Sequence, residues 1–197
     1  MEPVHIVQGT VVPLDRSDVD TDQIIPSDWL KRVERTGFDK GLFAEWRDDP
    51  EFVMNQEQYL GANILLGGPN FGTGSSREHA VWAIQQYGFA AVVSCRFGPI
   101  FRNNCTKNGL VAVQVTPEVS NQLMAAVRAD PKLELTIDVE RRTLEAPSLD
   151  IEVNFDLSDS VQHRFLNGLD DIGLTLQQVD SIDAFESKRP TFKPVTR

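Results

Sequence analysis

Apolar and polar positions alternate along residues 4–12, and branched side chains are frequent among them, a two-residue period that predicts a strand ended by Val12-Pro13-Leu14. A polar loop from Asp18 to Asp22 then runs into the apolar pair Ile24-Ile25 and Pro26. From Trp29 to Phe43 the pattern is mixed, and Gly37 and Gly41 interrupt any long helix. Asn63 to Leu66 reads as a buried strand, followed by the glycine-rich run from Gly67 to Gly74. Ser76 to Tyr87 places Ala80, Ala83, Ile84 and Tyr87 at helical spacing, with Gly88 as the stop. Ala90 to Ser94 is a second buried strand. A short helix near Pro99 to Lys107 ends at Asn108-Gly109, and Leu110 to Val115 returns as a strand. Pro117 suits the first turn of a helix that continues to Ala129.

Strands alternating with helices through residues 63–129 predict an α/β core. The tail differs. Leu133–Val139, Thr143–Ala146 and Ile151–Phe155 form a β-meander pattern around Glu140-Arg141-Arg142. Helical stretches follow at Ser158–Asn167 and Thr175–Ser187, and the last ten residues, with two prolines and four bases, read as extended. The expected architecture is a single β/β/α domain, with residues 1–157 as its core and residues 158–197 as C-terminal helices and an extended tail.

Composition narrows the function classes. The longest apolar runs, such as Phe89 to Ser94, are strand-length, far short of a membrane span. Nothing in Met1-Glu2-Pro3 opens an export leader, so a cytoplasmic location is expected. Cys95 and Cys105 are separated by nine intervening residues, and His5, His79 and His163 are scattered. That inventory assembles neither a disulfide framework nor a metal-ligand set, and any cluster involved must be held by a different chain. Residues 130–187 hold 14 of the 29 acids but only 4 of the 19 bases, so the net charge of −10 belongs to the C-terminal third. An acidic surface without a basic stripe argues against nucleic acid. It leaves Lys31, Arg32, Arg77, Arg96 and Arg102 in a neutral first two-thirds, free to serve a small anion.

The segment Asn70-Phe-Gly-Thr-Gly-Ser-Ser-Arg-Glu-His79 follows a buried strand and opens a helix, where backbone N–H groups and the helix dipole favour negative charge. Arg77 adds a planar, permanent cation suited to a carboxylate. The plain alternative is that Ser75-x-x-Glu78 is a capping box, and a nucleotide loop is a third reading. Arginine in a helix's first turn opposes the dipole unless an anion compensates it, which tilts the balance toward anion binding.

The run Gly72-Thr-Gly-Ser-Ser-Arg-Glu-His-Ala80 closely resembles the signature of the mobile swivel domain of the aconitase superfamily. The likeness extends to Asp20-Thr-Asp-Gln-Ile-Ile-Pro26, Arg35-Thr-Gly-Phe38, Gly41-Leu-Phe43, Tyr87-Gly-Phe89 and Phe101 to Leu110, and so covers nearly the whole chain. Many relatives have cysteine where this chain has Thr73; both fit a tight turn. Length and motif order look like the isopropylmalate dehydratase small subunits, the isomerases of leucine biosynthesis. The resemblance implies a swivelling domain and a heterodimer in which the large subunit holds a [4Fe–4S] cluster acting as a Lewis acid on a dicarboxylate substrate. By matching position it makes Ser75 the base, Ser76 and Arg77 substrate-carboxylate ligands, and Thr21 and Asp22 a pocket-edge pair, with Asp22 orienting Arg77. Citrate-using relatives place an arginine near Val33, so the valine suits an isopropyl group. A homoaconitase, citraconate or methylcitrate-type small subunit, and a non-catalytic module that binds an anionic metabolite, are the competing readings.

Overall fold

The computed structural model describes residues 1–31, 34–190 and 192. Strands β1 (Ile6–Leu14), β2 (Ile64–Gly67), β3 (Ala91–Ser94), β4 (Val111–Gln114), β5 (Glu134–Asp138), β6 (Thr143–Ala146) and β7 (Ile151–Asn154) form one sheet in the order β4-β3-β2-β1-β5-β6-β7. β1 is the seam. Its first half, Ile6 to Thr10, pairs antiparallel with β5, and its second half, Val11 to Leu14, pairs parallel with β2. The strand therefore runs through Pro13 instead of ending there. Pro13 has a strand partner on one side alone, opposite Leu66, so its missing N–H leaves no second ladder broken.

β2 and β3 are buried at every position, as parallel strands covered on both faces must be. The helices are α1 (Thr21–Ile24), α2 (Ala44–Arg47), α3 (Glu78–Tyr87), α4 (Pro99–Asn108), α5 (Pro117–Ala129), α6 (Asp159–Asn167), α7 (Asp171–Leu176) and α8 (Val179–Ser187). α3 buries Ala80, Val81, Ala83 and Ile84, and α5 buries Leu123, Met124 and Val127, each on one face at helical spacing. The meander of β5, β6 and β7 follows the expected pattern, with Ser158 capping α6 through Val161 N–H at 3.4 Å. The chain start is seated against α6, with Val4 N–H donating to the Phe165 carbonyl at 2.8 Å.

Two expectations need correcting. The stretch Thr175–Ser187 is two helices, because Asp170 accepts from Gly173 N–H at 2.6 Å and starts α7 upstream of Thr175. The chain then tightens at Gln178, whose N–H bonds to the Thr175 carbonyl, before α8 begins. The polar loop after β1 also contains a helical turn, α1. Of the expected extended tail, residues 191 and 193–197 lie outside the described residues. No helix among the described residues is long and apolar enough to cross a membrane.

Candidate functional site

Adjacent parallel strands end at the same edge of a sheet, so the loops after β1, β2 and β3 meet there. The loop after β2 is stitched to both neighbours. The Val19 carbonyl accepts from Gly72 and Thr73 N–H at 2.7 and 3.2 Å, and Thr21 N–H donates to the Thr73 carbonyl at 3.0 Å. On the other side Phe71 N–H donates to the Arg96 carbonyl at 2.9 Å, and Gly98 N–H to the Phe71 carbonyl at 2.8 Å. Beneath the loop Phe71 packs edge-on to Phe97 and Phe101. Gly72 sits at φ +75°, and a Cβ there would lie 2.3 Å from Phe101, so both the backbone and the packing demand glycine.

The tip of the loop is held from α1. Asp20 accepts from Gln23 N–H at 2.8 Å while the Gln23 side chain accepts from Asp20 N–H at 3.0 Å, a reciprocal capping box. That fixes Thr21, which is 2% exposed and donates its hydroxyl to the Ser75 carbonyl at 3.0 Å. Asp22, beside it, forms an ion pair with Arg77 Nη1. Although buried, Nη1 makes no aligned hydrogen bond in that contact. Arg77 Nε donates to Ser75 Oγ at 3.0 Å. Thr21, Asp22, Ser75 and Arg77 are thus brought into one contiguous set. Ser76 is exposed beside them, and its side chain has no hydrogen-bond partner among the described residues. Val33 and Arg32 lie outside the described residues.

The capping-box alternative for Ser75 and Glu78 is not realised. α3 begins at Glu78 with Arg77 as an extended N-cap residue, and no side chain caps it. Arg77 is therefore not in the first turn, and the charge that compensates it is the Asp22 carboxylate. Glu78 faces away from Ser75 and accepts from Asn108 Nδ2 at 2.7 Å, while Asn108 Oδ1 accepts from Trp82 at 2.8 Å. The oxyanion pocket is also narrower than the sequence suggests, since Gly72 and Thr73 N–H are spent on Val19. The N–H groups of Gly74, Ser75 and Ser76 bond to nothing among the described residues and remain available to a ligand.

Two side chains that sequence reasoning missed serve the site indirectly. Asn108 bolts the start of α3 to the end of α4; an asparagine before a helix-stopping glycine carries no signal of that role. Gln86 accepts from Phe38 N–H at 2.9 Å and donates to the Arg35 carbonyl at 2.8 Å, tying that segment to α3. His79 packs at a tilt against Trp82 and edge-on to Phe38, at centroid distances of 4.7 and 5.3 Å. Among the described residues no group of three or more His, Cys, Asp or Glu is arranged to hold a metal ion. Cys105 is fully buried, and burial pushes its thiol well above the ordinary range, which disfavours the thiolate a metal needs. Hollows of about 410 and 360 Å³ lie elsewhere, sharing Arg102, Gln114 and Asp156. The Ser75 loop itself stands open.

Residues 1–118 match the family model of the aconitase C-terminal domain, and residues 171–195 match that of the C-terminal domain of the 3-isopropylmalate dehydratase small subunit. The chain is 55% identical to the 3-isopropylmalate dehydratase small subunit of Rubrobacter xylanophilus over 98% of both chains. It is 55% identical to the small subunit from Frankia casuarinae over 100% of both. A solved structure of 3-isopropylmalate dehydratase from Methanocaldococcus jannaschii shares the fold, with a TM-score of 0.65 and 22% identity over 92% of this chain and 99% of that one.

Proposed function

Since the chain belongs to the 3-isopropylmalate dehydratase small subunits, hydro-lyase subunits of leucine biosynthesis, we propose that its Ser75 loop is the proton-transferring half of a site completed by a large subunit. The reaction assigned to it interconverts 2-isopropylmalate and 3-isopropylmalate through 2-isopropylmaleate, in the cytoplasm. Ser75 Oγ takes the proton from the carbon beside a substrate carboxylate, and returns one in the rehydration that moves the hydroxyl to the neighbouring carbon.

The observation that carries this reading is the hydrogen bond from Arg77 Nε to Ser75 Oγ at 3.0 Å, with Asp22 bracing the same guanidinium. Serine is a feeble base at its ordinary pKa, and a fixed cation bonded to Oγ is what lowers the cost of the alkoxide. Arg77 also offers its remaining donors to a substrate carboxylate, together with the unbonded N–H groups of Gly74, Ser75 and Ser76. The Ser76 hydroxyl is a further ligand for that carboxylate. Thr21 holds the Ser75 carbonyl so that Oγ keeps its aim. A [4Fe–4S] cluster on the large subunit supplies, when that partner is bound, the Lewis acidity needed at the departing hydroxyl.

The test is reconstitution with the cognate large subunit. The chain alone is expected to be colourless and inactive toward isopropylmaleate. In the complex, Ser75→Ala is expected to abolish turnover while leaving the fold and the affinity for the ligand nearly intact. Arg77→Lys is expected to raise KM, because an ammonium cannot bond Ser75, Asp22 and a carboxylate together. A Ser75→Ala complex that keeps more than a few percent of wild-type turnover overturns the assignment of the base.

A further inference from the structure

The two last helices are unlike the other helices longer than one turn, since neither α7 nor α8 buries a single residue. Ile172, Leu176 and Val179 follow one another at spacings of four and three residues, and Phe185 lies further along α8. All four are exposed, by 69, 62, 47 and 70% respectively. These large apolar side chains sit at one end of a molecule whose other helices α3, α4, α5 and α6 each bury apolar faces. A helix of six or nine residues is too short to persist in water on its own propensity, and most helical stability in proteins comes from a packed face. Among the described residues only partial cover is found, at Leu174 and Ile182, and the rest of these apolar side chains call for a further surface.

The base of the arm is anchored. Asp171 accepts from Arg164 at 2.7 Å and lies 4.0 Å from Lys107, so the first turn of α7 is held to α6 and α4 while Ile172 and Leu176 are left exposed and Leu174 is half-buried. Asp170, Asp171, Asp180, Asp183 and Glu186 surround the apolar positions, and no Lys or Arg occurs from 165 to 187. Two copies of such a face would set like charges against each other, which disfavours self-association. The aconitase model ends at residue 118, whereas the model that matches residues 171–195 is particular to the separate small subunits. The uncovered apolar segment is thus the part of the chain that marks a small subunit which must find a separate partner.

We infer that α7 and α8 form a docking arm for the large subunit, seating Ile172, Leu176, Val179 and Phe185 in an apolar groove rimmed by lysine or arginine. This rests on the proposed function in that it takes the large subunit as the partner. The arm works at a distance from Ser75: it sets the affinity of the two chains, while the chemistry stays with the loop.

The experiment compares wild type, Ile172→Ser/Phe185→Ser, and Leu60→Ser, the last removing a side chain that is 63% exposed elsewhere. Affinity for the purified large subunit is measured by sedimentation velocity and by titrating turnover. The double variant is expected to bind about a hundredfold more weakly, roughly tenfold for each apolar group lost, and Leu60→Ser unchanged. Its melting temperature as an isolated chain is expected to stay close to wild type, since the two side chains are 69 and 70% exposed. At saturating large subunit its kcat is expected to recover in full, and added salt is expected to weaken wild-type binding. Equal affinity of the double variant and wild type overturns the docking arm and leaves the proposed function standing. Failure of wild type to bind the large subunit overturns the proposed function itself. An isolated wild-type chain that dimerises, with a double variant that does not, assigns the face to a second copy and likewise overturns the inference.

Discussion

Replacing Thr21 by valine isolates the side-chain hydrogen bond that runs directly from the α1 turn to the Ser75 carbonyl. Valine keeps the shape of a residue that is 2% exposed, and the backbone bond from residue 21 N–H to the Thr73 carbonyl at 3.0 Å does not involve the side chain. What is lost is the hydroxyl that donates to the Ser75 carbonyl at 3.0 Å. One neutral hydrogen bond contributes about 0.5–1.5 kcal/mol to stability, and Ser75 is exposed enough for water to replace the donor, so the lower end applies. In a chain of this size that lowers the melting temperature by roughly 2–4 °C at most. Turnover is expected to suffer far more. Ser75 loses its direct side-chain hydrogen bond from α1 and keeps the link that runs through Arg77 and Asp22; a misplacement of about 1 Å at a reacting group can cost roughly a hundredfold in rate. The assay pairs thermal unfolding of the isolated chain with kcat of the reconstituted enzyme. Thr21→Val is expected to show a small stability loss with kcat down at least about tenfold, and Thr21→Ser, which keeps the donor, to stay near wild type. A Thr21→Val complex with kcat within about twofold of wild type would show that the bond steadies the fold and nothing more.

Asp22→Asn removes the carboxylate paired with Arg77 while keeping its shape; KM for isopropylmalate is expected to rise with melting little changed, because the Asp22 carboxylate is half exposed and such a pair contributes about 1 kcal/mol or less to stability. An unchanged KM would remove Asp22 from the site. In the native chain near neutral pH, iodoacetamide is expected to label Cys95, which is partly exposed, and to spare Cys105, whose thiol burial holds in the protonated form. Labelling of both at similar rates would contradict that placement. Val33→Arg is expected to move substrate preference toward citrate or homocitrate, since a few methyl contacts gain about 1–3 kcal/mol whereas an unpaired buried carboxylate costs several. Wild-type efficiency on citrate equal to that on isopropylmalate would break that reasoning.

The elements with a strong internal period were legible in the sequence. Pro117 and Ala129 bound α5 as expected, and Thr143–Ala146 forms β6 without shift. The errors share a physical origin in contacts made across the chain. Pro13 reads as a strand stop because local pattern cannot show that β1 changes partner between Thr10 and Val11. Ser75-x-x-Glu78 has the spacing of a capping box, yet Ser75 is engaged by Arg77 and its carbonyl by Thr21, while Glu78 is drawn to Asn108. The same motif type was visible and unread at Asp20-x-x-Gln23, where it does form. The grouping of Thr21, Asp22, Ser75 and Arg77 came from resemblance; nothing in their spacing of more than fifty residues announces it.

The seam in β1 explains why the site lies where it does, and why it is unfinished. Only the parallel half of the strand has β2 as a neighbour, so the chain leaving Leu14 and the chain leaving Gly67 depart from the same edge. Asn70 and Asp18, both at positive φ, are joined there by a 2.6 Å hydrogen bond, and each turns its loop toward the other. That convergence sets α1 beside Ser75. On the opposite side of β1 the antiparallel β5 begins toward this edge, where Arg128 at the end of α5 pairs with Asp15 at 2.7 Å, and the tip of the Ser75 loop is left exposed. A guanidinium bonded to a hydroxyl does little for an alkoxide while solvent screens it, because the same charges interact several-fold more strongly at protein-like dielectric than in water. With Ser75 as the proposed base, its exposure and that of Ser76 tie the strength of that base to coverage by a partner, and proton abstraction is expected only once a second surface excludes water from the loop.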